Sequence, residues 1–288
     1  MKPIRFDYDQ VNVEDAAWNM TLMRQLNIAE SPRGTHLWHK ECNYSKRFLG
    51  KNINPLGFCT MKDGNGTLDM LVAGNSYACN QGDLVYNAFI PYARHFNIFC
   101  VPSCEMFLPR CKFIKFNFTQ VVEQLKPAVI FLVERSLSLK VPLNVTEPIE
   151  NDKTFRLYSK TIENLENVTK KIYIVQAFPS CVNSCSNIAL QYLKNGKALR
   201  TIEDALVVED AFFARHRLCE LNKRCKKCEL VDYMPVLVDK KGQYLAYNPD
   251  TNLMYLDYEQ HFNRFGRQRL QIVFNNLAKD FEATVNKQ

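Results

Sequence analysis

The chain has 288 residues, 47% hydrophobic and 23% charged, with 37 basic against 30 acidic side chains for a net charge of +7. This composition places it among folded globular proteins and excludes disorder and collagen-like structure. Only 10 glycines and 12 prolines occur and no long-period repeat shows, so solenoids and propellers are excluded and one compact core is expected.

The first ten residues, MKPIRFDYDQ, contain no apolar run, so no signal peptide is expected there. Residues 1–66 set Trp18, Trp38, Cys42 and Cys59 among polar side chains, and Asn-Pro-Leu-Gly at 54–57 reads as a turn leading onward. We read 1–66 as an N-terminal extension packed on the main domain by disulfides, not as a separate catalytic unit. Residues 67–288 then alternate. Buried strands are expected at 68–73, 98–101, 128–133, 172–177 and 229–233, and helices at 84–95, 118–125, 154–168, 202–223 and from about 263 onward. The last helix puts Leu270, Val273, Phe274, Leu277 and Phe281 on one face. Near-continuous apolar strands alternating with helices predict an α/β domain with a mainly parallel, five-stranded sheet covered on both faces. In such sheets function sits outside the carboxyl ends of the strands.

The apolar runs fall far short of the roughly 18 residues that span a bilayer. Basic residues are scattered, apart from Lys223, Arg224, Lys226 and Lys227 and the Arg264, Arg267 and Arg269 group, so no nucleic-acid partner is expected. Eleven cysteines spread along the chain predict several disulfides and at least one free thiol. Within them Cys225 and Cys228 form a tight pair. Zinc needs a second pair with matching spacing, and neither Cys100 with Cys104 nor Cys181 with Cys185 supplies it, so a structural disulfide or plain thiols are expected and no metal. Asn19, Asn43, Asn65, Asn117, Asn144 and Asn167 each begin an N-x-S/T glycosylation signal, six against about two expected by chance. Cysteines and signals together predict the secretory lumen or the cell exterior.

The first main strand runs into Gly74-Asn75-Ser76. A serine at a strand end and a helix N-terminus is placed for nucleophilic attack, since helix-end N–H groups stabilise an oxyanion; the same position also suits a helix cap. A nucleophilic serine needs a base and an orienting acid. His36 and His39 lie in the extension, and His95 and His216 in expected helices among arginines. His261 follows the last strand region, after Asp257 and Glu259, in a loop expected at the same sheet edge as Ser76.

Gly74-Asn75-Ser76-Tyr77-Ala78 resembles the first block of the SGNH (GDSL-type) hydrolases, and Asp257 with His261-Phe-Asn-x-x-Gly266 resembles their last block. The stretch 126–136 is similar to their third strand and its loop, and the whole is similar to SGNH domains fused behind the membrane module of acyltransferase-3-type proteins, particularly cysteine-rich animal ones. The resemblance implies a flavodoxin-like three-layer α/β/α fold and serine-dependent acyl chemistry without a cofactor. In it Ser76 is the nucleophile, His261 the base and Asp257 the orienting acid, and a multi-spanning membrane acyltransferase module is a partner. Three departures stand out. Asn75 replaces the usual Asp. The Asp-to-His gap is one residue longer than usual, which lets Glu259 compete with Asp257. The oxyanion-hole glycine and asparagine of the middle blocks are replaced by Val101-Pro-Ser-Cys104 and Glu134-Arg135-Ser136, leaving Gly74, Asn75, the Ser76 N–H and the Arg135 side chain as the candidate oxyanion and first-block groups. The function implied is an esterase or O-acyltransferase for small, acetyl-like esters of a carbohydrate or lipid-type substrate; the alternative is a catalytically silent luminal module. A nucleotide binder is excluded, because GNSYACNQG lacks the glycine spacing and Lys-Ser/Thr of a phosphate loop.

Overall fold

The computed structural model describes residues 19–285 except 33, 35, 52, 109, 110, 112 and 113, so the N-terminal ten residues and Trp18 lie outside the described residues. Helix α1 (Met20–Glu30), whose first N–H groups are capped by Asn19, is followed by strands β1 (Asn43–Ser45) and β2 (Gly57–Thr60). Then come β3 (Leu68–Gly74), α2 (Ser76–Phe89), β4 (Ala93–Cys100), α3 (Phe118–Leu125), β5 (Val129–Leu132), α4 (Lys153–Val168) and β6 (Lys171–Val175). The chain continues through β7 (Ser180–Cys181), α5 (Cys185–Lys194), α6 (Glu203–Leu206), β8 (Val207–Val208), α7 (Phe212–Arg224), β9 (Cys228–Val231), α8 (Met234–Leu237) and α9 (Arg264–Val285).

The main sheet has seven strands in the order β1-β2-β4-β3-β5-β6-β9. Five of them, β4-β3-β5-β6-β9, pair in parallel in the doubly wound flavodoxin-like order. The five-stranded expectation therefore holds for the core but is short by two. Strands β1 and β2, from the N-terminal extension, pair antiparallel along the β4 edge. They were hidden in the sequence because each has only three or four residues and lies in a polar, turn-rich stretch. Alternate side chains of the central strands face opposite layers, as the two-residue period of a strand requires. Met70, Val72, Val129, Phe131 and Tyr173 pack under α2 and α9, whereas Leu71, Ala73, Ile130, Leu132 and Ile174 pack under α3, α4 and α7.

Two helices depart from expectation. The helix expected at 84–95 starts eight residues earlier, at Ser76, and ends at Phe89, and His95 lies exposed on β4. The Asn75 side chain accepts the Tyr77 N–H and starts the helix directly at the strand end. Its first two turns, small and polar, gave no periodic signal. They sit close over the sheet, and a Cβ at Gly82 would meet Ile98 Cδ1 at 2.6 Å. The single helix expected at 202–223 is broken into α6, β8 and α7, because Val207 and Val208 pair with Cys181 and Ser180 and Asp210 turns back to accept the Ser180 N–H at 3.0 Å.

Five disulfides join Cys42 to Cys59, Cys79 to Cys100, Cys104 to Cys111, Cys181 to Cys185 and Cys225 to Cys228, leaving Cys219 free and exposed. All six asparagines of the glycosylation signals are exposed. Among the described residues no helix is long and apolar enough to cross a membrane.

Candidate active site

Strand order reverses beside β3, the topological switch point of the sheet, and a cleft of about 330 Å³ opens at this carboxyl edge. Ser76 after β3, Ser103 after β4, Arg135 after β5 and the His261 loop before α9 all line it. Gly74 makes the strand-to-helix turn possible, since a Cβ there would lie 2.0 Å from the Val133 carbonyl oxygen. Ser76 is therefore the first helical residue and not the cap; that part is taken by Asn75. The Ser76 N–H is one of the orphan donors at the start of α2.

Ser76 Oγ lies 2.8 Å from His261 Nε2. With the serine hydroxyl donating, the imidazole proton sits on Nδ1, a tautomer assigned from its partners. Nδ1 is buried without a hydrogen-bond partner, 3.6 Å from Asp257 Oδ2 and 4.0 Å from Glu259 Oε2. Asp257 is 3% exposed and its carboxylate is fixed by three backbone donors: Gly34 at 3.2 Å, Glu259 at 2.8 Å and His261 at 2.9 Å. The longer Asp-to-His spacing is absorbed by a closed turn. Asp257 N–H donates to the His261 carbonyl at 2.8 Å, and Gln260 takes a left-handed conformation with φ 66°. The turn thus returns His261 to the carboxylate while Glu259 keeps to the cleft rim.

Helix α2 also holds this loop in place. The Tyr77 hydroxyl donates to the Gln260 carbonyl, and the Asn80 side chain makes a paired bond with the Phe262 backbone, donating at 2.9 Å and accepting at 3.1 Å. Burial pushes the Tyr77 phenol up to about 12, keeping it a neutral donor. Three residues of one helix end, 76, 77 and 80, so engage 261, 260 and 262 in turn. Gly266 permits the opposite approach, a Cβ there lying 2.4 Å from the Tyr255 carbonyl, and Asn263 starts α9 by accepting the Phe265 and Gly266 N–H groups.

Asn75 is 2% exposed and lies at the floor of the cleft beside Ser76. Its oxygen accepts the Arg135 N–H at 3.2 Å and its amide donates to the Arg135 carbonyl at 2.9 Å. An aspartate would set a negative oxygen against that carbonyl, which accounts for the amide in this chain. Asn75 therefore ties the loop after β5 to the start of α2. Behind that loop, Glu105 accepts the Leu137 N–H at 2.8 Å, the Ser138 hydroxyl at 2.7 Å and the Tyr158 hydroxyl at 2.8 Å. Burial, and then the neighbouring Glu105 charge, raise the Glu134 carboxyl well above its usual range, and it accepts the Met106 N–H at 2.9 Å. Ser103, held at φ 56°, and Arg135 face the cleft from these two braced loops.

Sequence reasoning missed several of these groups. Tyr77 was visible only as a member of the first block, Asn80 carries no motif signal, and Glu105 is an ordinary acidic residue until folding brings it under the loop after β5. The Gly34 N–H comes from the extension, which with Leu37 and Leu56 forms one wall of the cleft. His39, also from the extension, is buried against the Cys79 carbonyl on α2.

The doubly wound order with a Ser-His pair at its switch point defines a flavodoxin-like α/β/α domain of hydrolase type. The profile of the SGNH domain (fused to AT3 domains) matches residues 41–276, and the chain belongs to that family. No curated protein matches the sequence. In structure the chain is similar to the lipopolysaccharide acetyltransferase periplasmic domain of Salmonella ser. Paratyphi A, with TM-score 0.53 and 12% identity over 75% of this chain and 84% of that one. It is also similar to a protein assigned as an acylhydrolase from Bacteroides fragilis NCTC 9343, with TM-score 0.42 and 15% identity over 82% of this chain and 96% of the other.

Proposed function

We propose that the domain is a serine esterase or O-acyltransferase acting on small, acetyl-like esters of a carbohydrate or lipid-type substrate. The observation that carries this reading is the 2.8 Å contact between Ser76 Oγ and His261 Nε2 at the start of a helix in an open cleft. In the reaction Ser76 Oγ attacks the acyl carbonyl while its proton passes to His261 Nε2. The imidazolium then carries its charge toward the fixed Asp257 carboxylate, whose attraction offsets the cost of a buried cation. The carbonyl oxygen gains a negative charge, for which the Ser76 N–H at the start of α2 and the Arg135 guanidinium in the cleft wall are the donors. Nε2 returns the proton to the leaving alcohol, and water or a sugar-like hydroxyl repeats the sequence in reverse to release the acyl group.

Family membership supports an acyl-transfer partner in a membrane AT3-type module, and the acetyltransferase likeness supports acetyl as the group moved. Five disulfides fit an oxidising compartment, and the six exposed glycosylation signals fit one outside the cytosol. A second reading, a catalytically silent luminal or extracellular support module, draws on the unpartnered Nδ1 of His261. The two separate on one experiment. An active domain labels with a fluorophosphonate probe and hydrolyses p-nitrophenyl acetate, Ser76→Ala abolishes both, and Ser186→Ala leaves both unchanged. Folded wild-type protein that does neither is the silent module.

A further inference from the structure

Arg135 stands half-buried in the cleft wall, and among the described residues no carboxylate pairs with it. Its backbone is clamped by Asn75 and its Nη2 donates to Ser180 Oγ at 2.9 Å. Ser180 Oγ also accepts from Lys140 Nζ at 2.6 Å. Lys140 in turn donates to Asp210 Oδ1 at 2.7 Å and to the Phe178 carbonyl at 3.3 Å. The same Asp210 oxygen accepts the Ser180 N–H at 3.0 Å. The cluster joins three separate segments: the turn Ser138–Lys140, strand β7 and the link between β8 and α7.

A serine beside a lysine suggests a second nucleophile with its base, and the charges argue against it. The Asp210 carboxylate at 2.7 Å opposes the loss of the Lys140 proton that burial favours, and two donors on Ser180 Oγ withdraw the lone pairs that attack requires. Burial alone would raise Asp210, yet the Lys140 and Ser180 hydrogen bonds hold it below the usual carboxylate range, while burial pulls Lys140 below its own usual range against the pull of Asp210. What the cluster does is mechanical. A long arginine side chain loses much of its rotamer freedom when one terminal nitrogen is fixed, and its remaining N–H groups then point in a set direction.

We propose that Ser180, backed by Lys140 and Asp210, is a positioning residue that aims the Arg135 guanidinium at the developing oxyanion, a charged donor standing where the SGNH third block has a neutral amide. This rests on the acyl-transfer reading of Ser76. The guanidinium then acts on kcat and not on KM, because the carbonyl oxygen carries full charge only near the transition state.

The test is a double-mutant cycle on the full chain with p-nitrophenyl acetate, with thermal unfolding recorded for every variant. Arg135→Ala is expected to lower kcat about 10²-fold and Ser180→Ala about 10-fold, both with KM within about twofold. In the Arg135→Ala background Ser180→Ala is expected to add nothing, and with Arg135 present Ser180→Thr, which keeps the hydroxyl, is expected to retain most of the wild-type rate. Asp210→Asn, at a half-exposed position, provides a second route to the same loss should Ser180→Ala fold poorly. Equal losses from Ser180→Ala with and without Arg135 overturn the proposal, as does a rise in KM at constant kcat, which assigns Arg135 to ground-state binding. If wild type is active, Ser76→Ala is dead and Arg135→Ala matches wild type, this proposal alone fails. If wild type is inactive and unlabelled, the acyl-transfer reading fails and takes the proposal with it.

Discussion

Replacing Asp257 by asparagine tests the site at its most closely specified point. The carboxylate lies 3.6 Å from His261 Nδ1, beyond a hydrogen bond but well within charge attraction once the imidazole is protonated. At an effective dielectric of about 20 that attraction is about 4–5 kcal/mol, on the order of 10³-fold in rate. The Asp257→Asn variant also keeps only part of the backbone cradle. The oxygen of the new side chain can still accept the Glu259 and His261 N–H groups, while its amide faces the Gly34 N–H, donor against donor. Glu259 is the comparison, since its carboxylate is 4.0 Å from the same nitrogen and its side chain 31% exposed. Screening by water leaves such a pair below about 1 kcal/mol, so Glu259→Gln is expected to lose less than about fivefold. Both variants are assayed for p-nitrophenyl acetate turnover per fluorophosphonate-titrated site, so that misfolded protein is not counted as slow enzyme. Asp257→Asn within about tenfold of wild type, or Glu259→Gln falling further, would refute the assignment of Asp257 as the orienting acid.

Asn80→Ala removes the two bonds that register the His261 loop on α2, and is expected to lower kcat at least about 10-fold, with a loss of about 1–3 kcal/mol in urea unfolding; an unchanged kcat would separate the loop from catalysis. Glu134 holds its proton more tightly in the fold than in the unfolded chain, where it ionises above its ordinary value of 4.5, so its contribution to stability falls as pH rises from there. Glu134→Gln is expected to flatten the decline in unfolding temperature as pH rises above about 5, and parallel wild-type and variant curves would contradict it. Arg217 is 1% exposed and binds Asp152 at 2.9 and 2.8 Å and the Leu139 and Val141 carbonyls at 2.7 and 2.6 Å. Arg217→Ala strands all three partners and is expected to cost about 3–5 kcal/mol in urea unfolding, with a loss below about 1 kcal/mol the contrary result.

The parallel core was readable because its strands are short apolar runs between polar helices, and the α9 face because Leu270, Phe274, Leu277 and Phe281 repeat at helical spacing. Ser76 and His261 were readable for another reason: each follows a buried strand or bridge, and strand ends in such a sheet converge on one edge. The start of α2 was not, since Ser76 to Gly82 presents small and polar side chains whose packing depends on Ile98, a neighbour only in three dimensions. The groups that brace the cleft were hidden for the same reason. Asn80 meets Phe262 across 182 positions, and Lys140 meets Asp210 across 70, with no periodicity or motif linking either pair. The edge strands from the extension were masked by their brevity, and the Gly34 N–H by being a backbone group that any residue would bring.

Ser76 and His261 are 185 positions apart, and the loop carrying the histidine is tied to α2 and followed at once by α9, which docks on that same helix. A chain made from its amino end therefore holds Ser76, the proposed nucleophile, long before it holds His261, the proposed base. During that interval Ser76 is an ordinary alcohol, because nothing accepts its proton. On the acyl-transfer reading the Ser76–His261 pair is among the slower contacts to form, since the two are so distant in sequence. Order of synthesis would then keep the Ser76 hydroxyl inert until the molecule around it is complete.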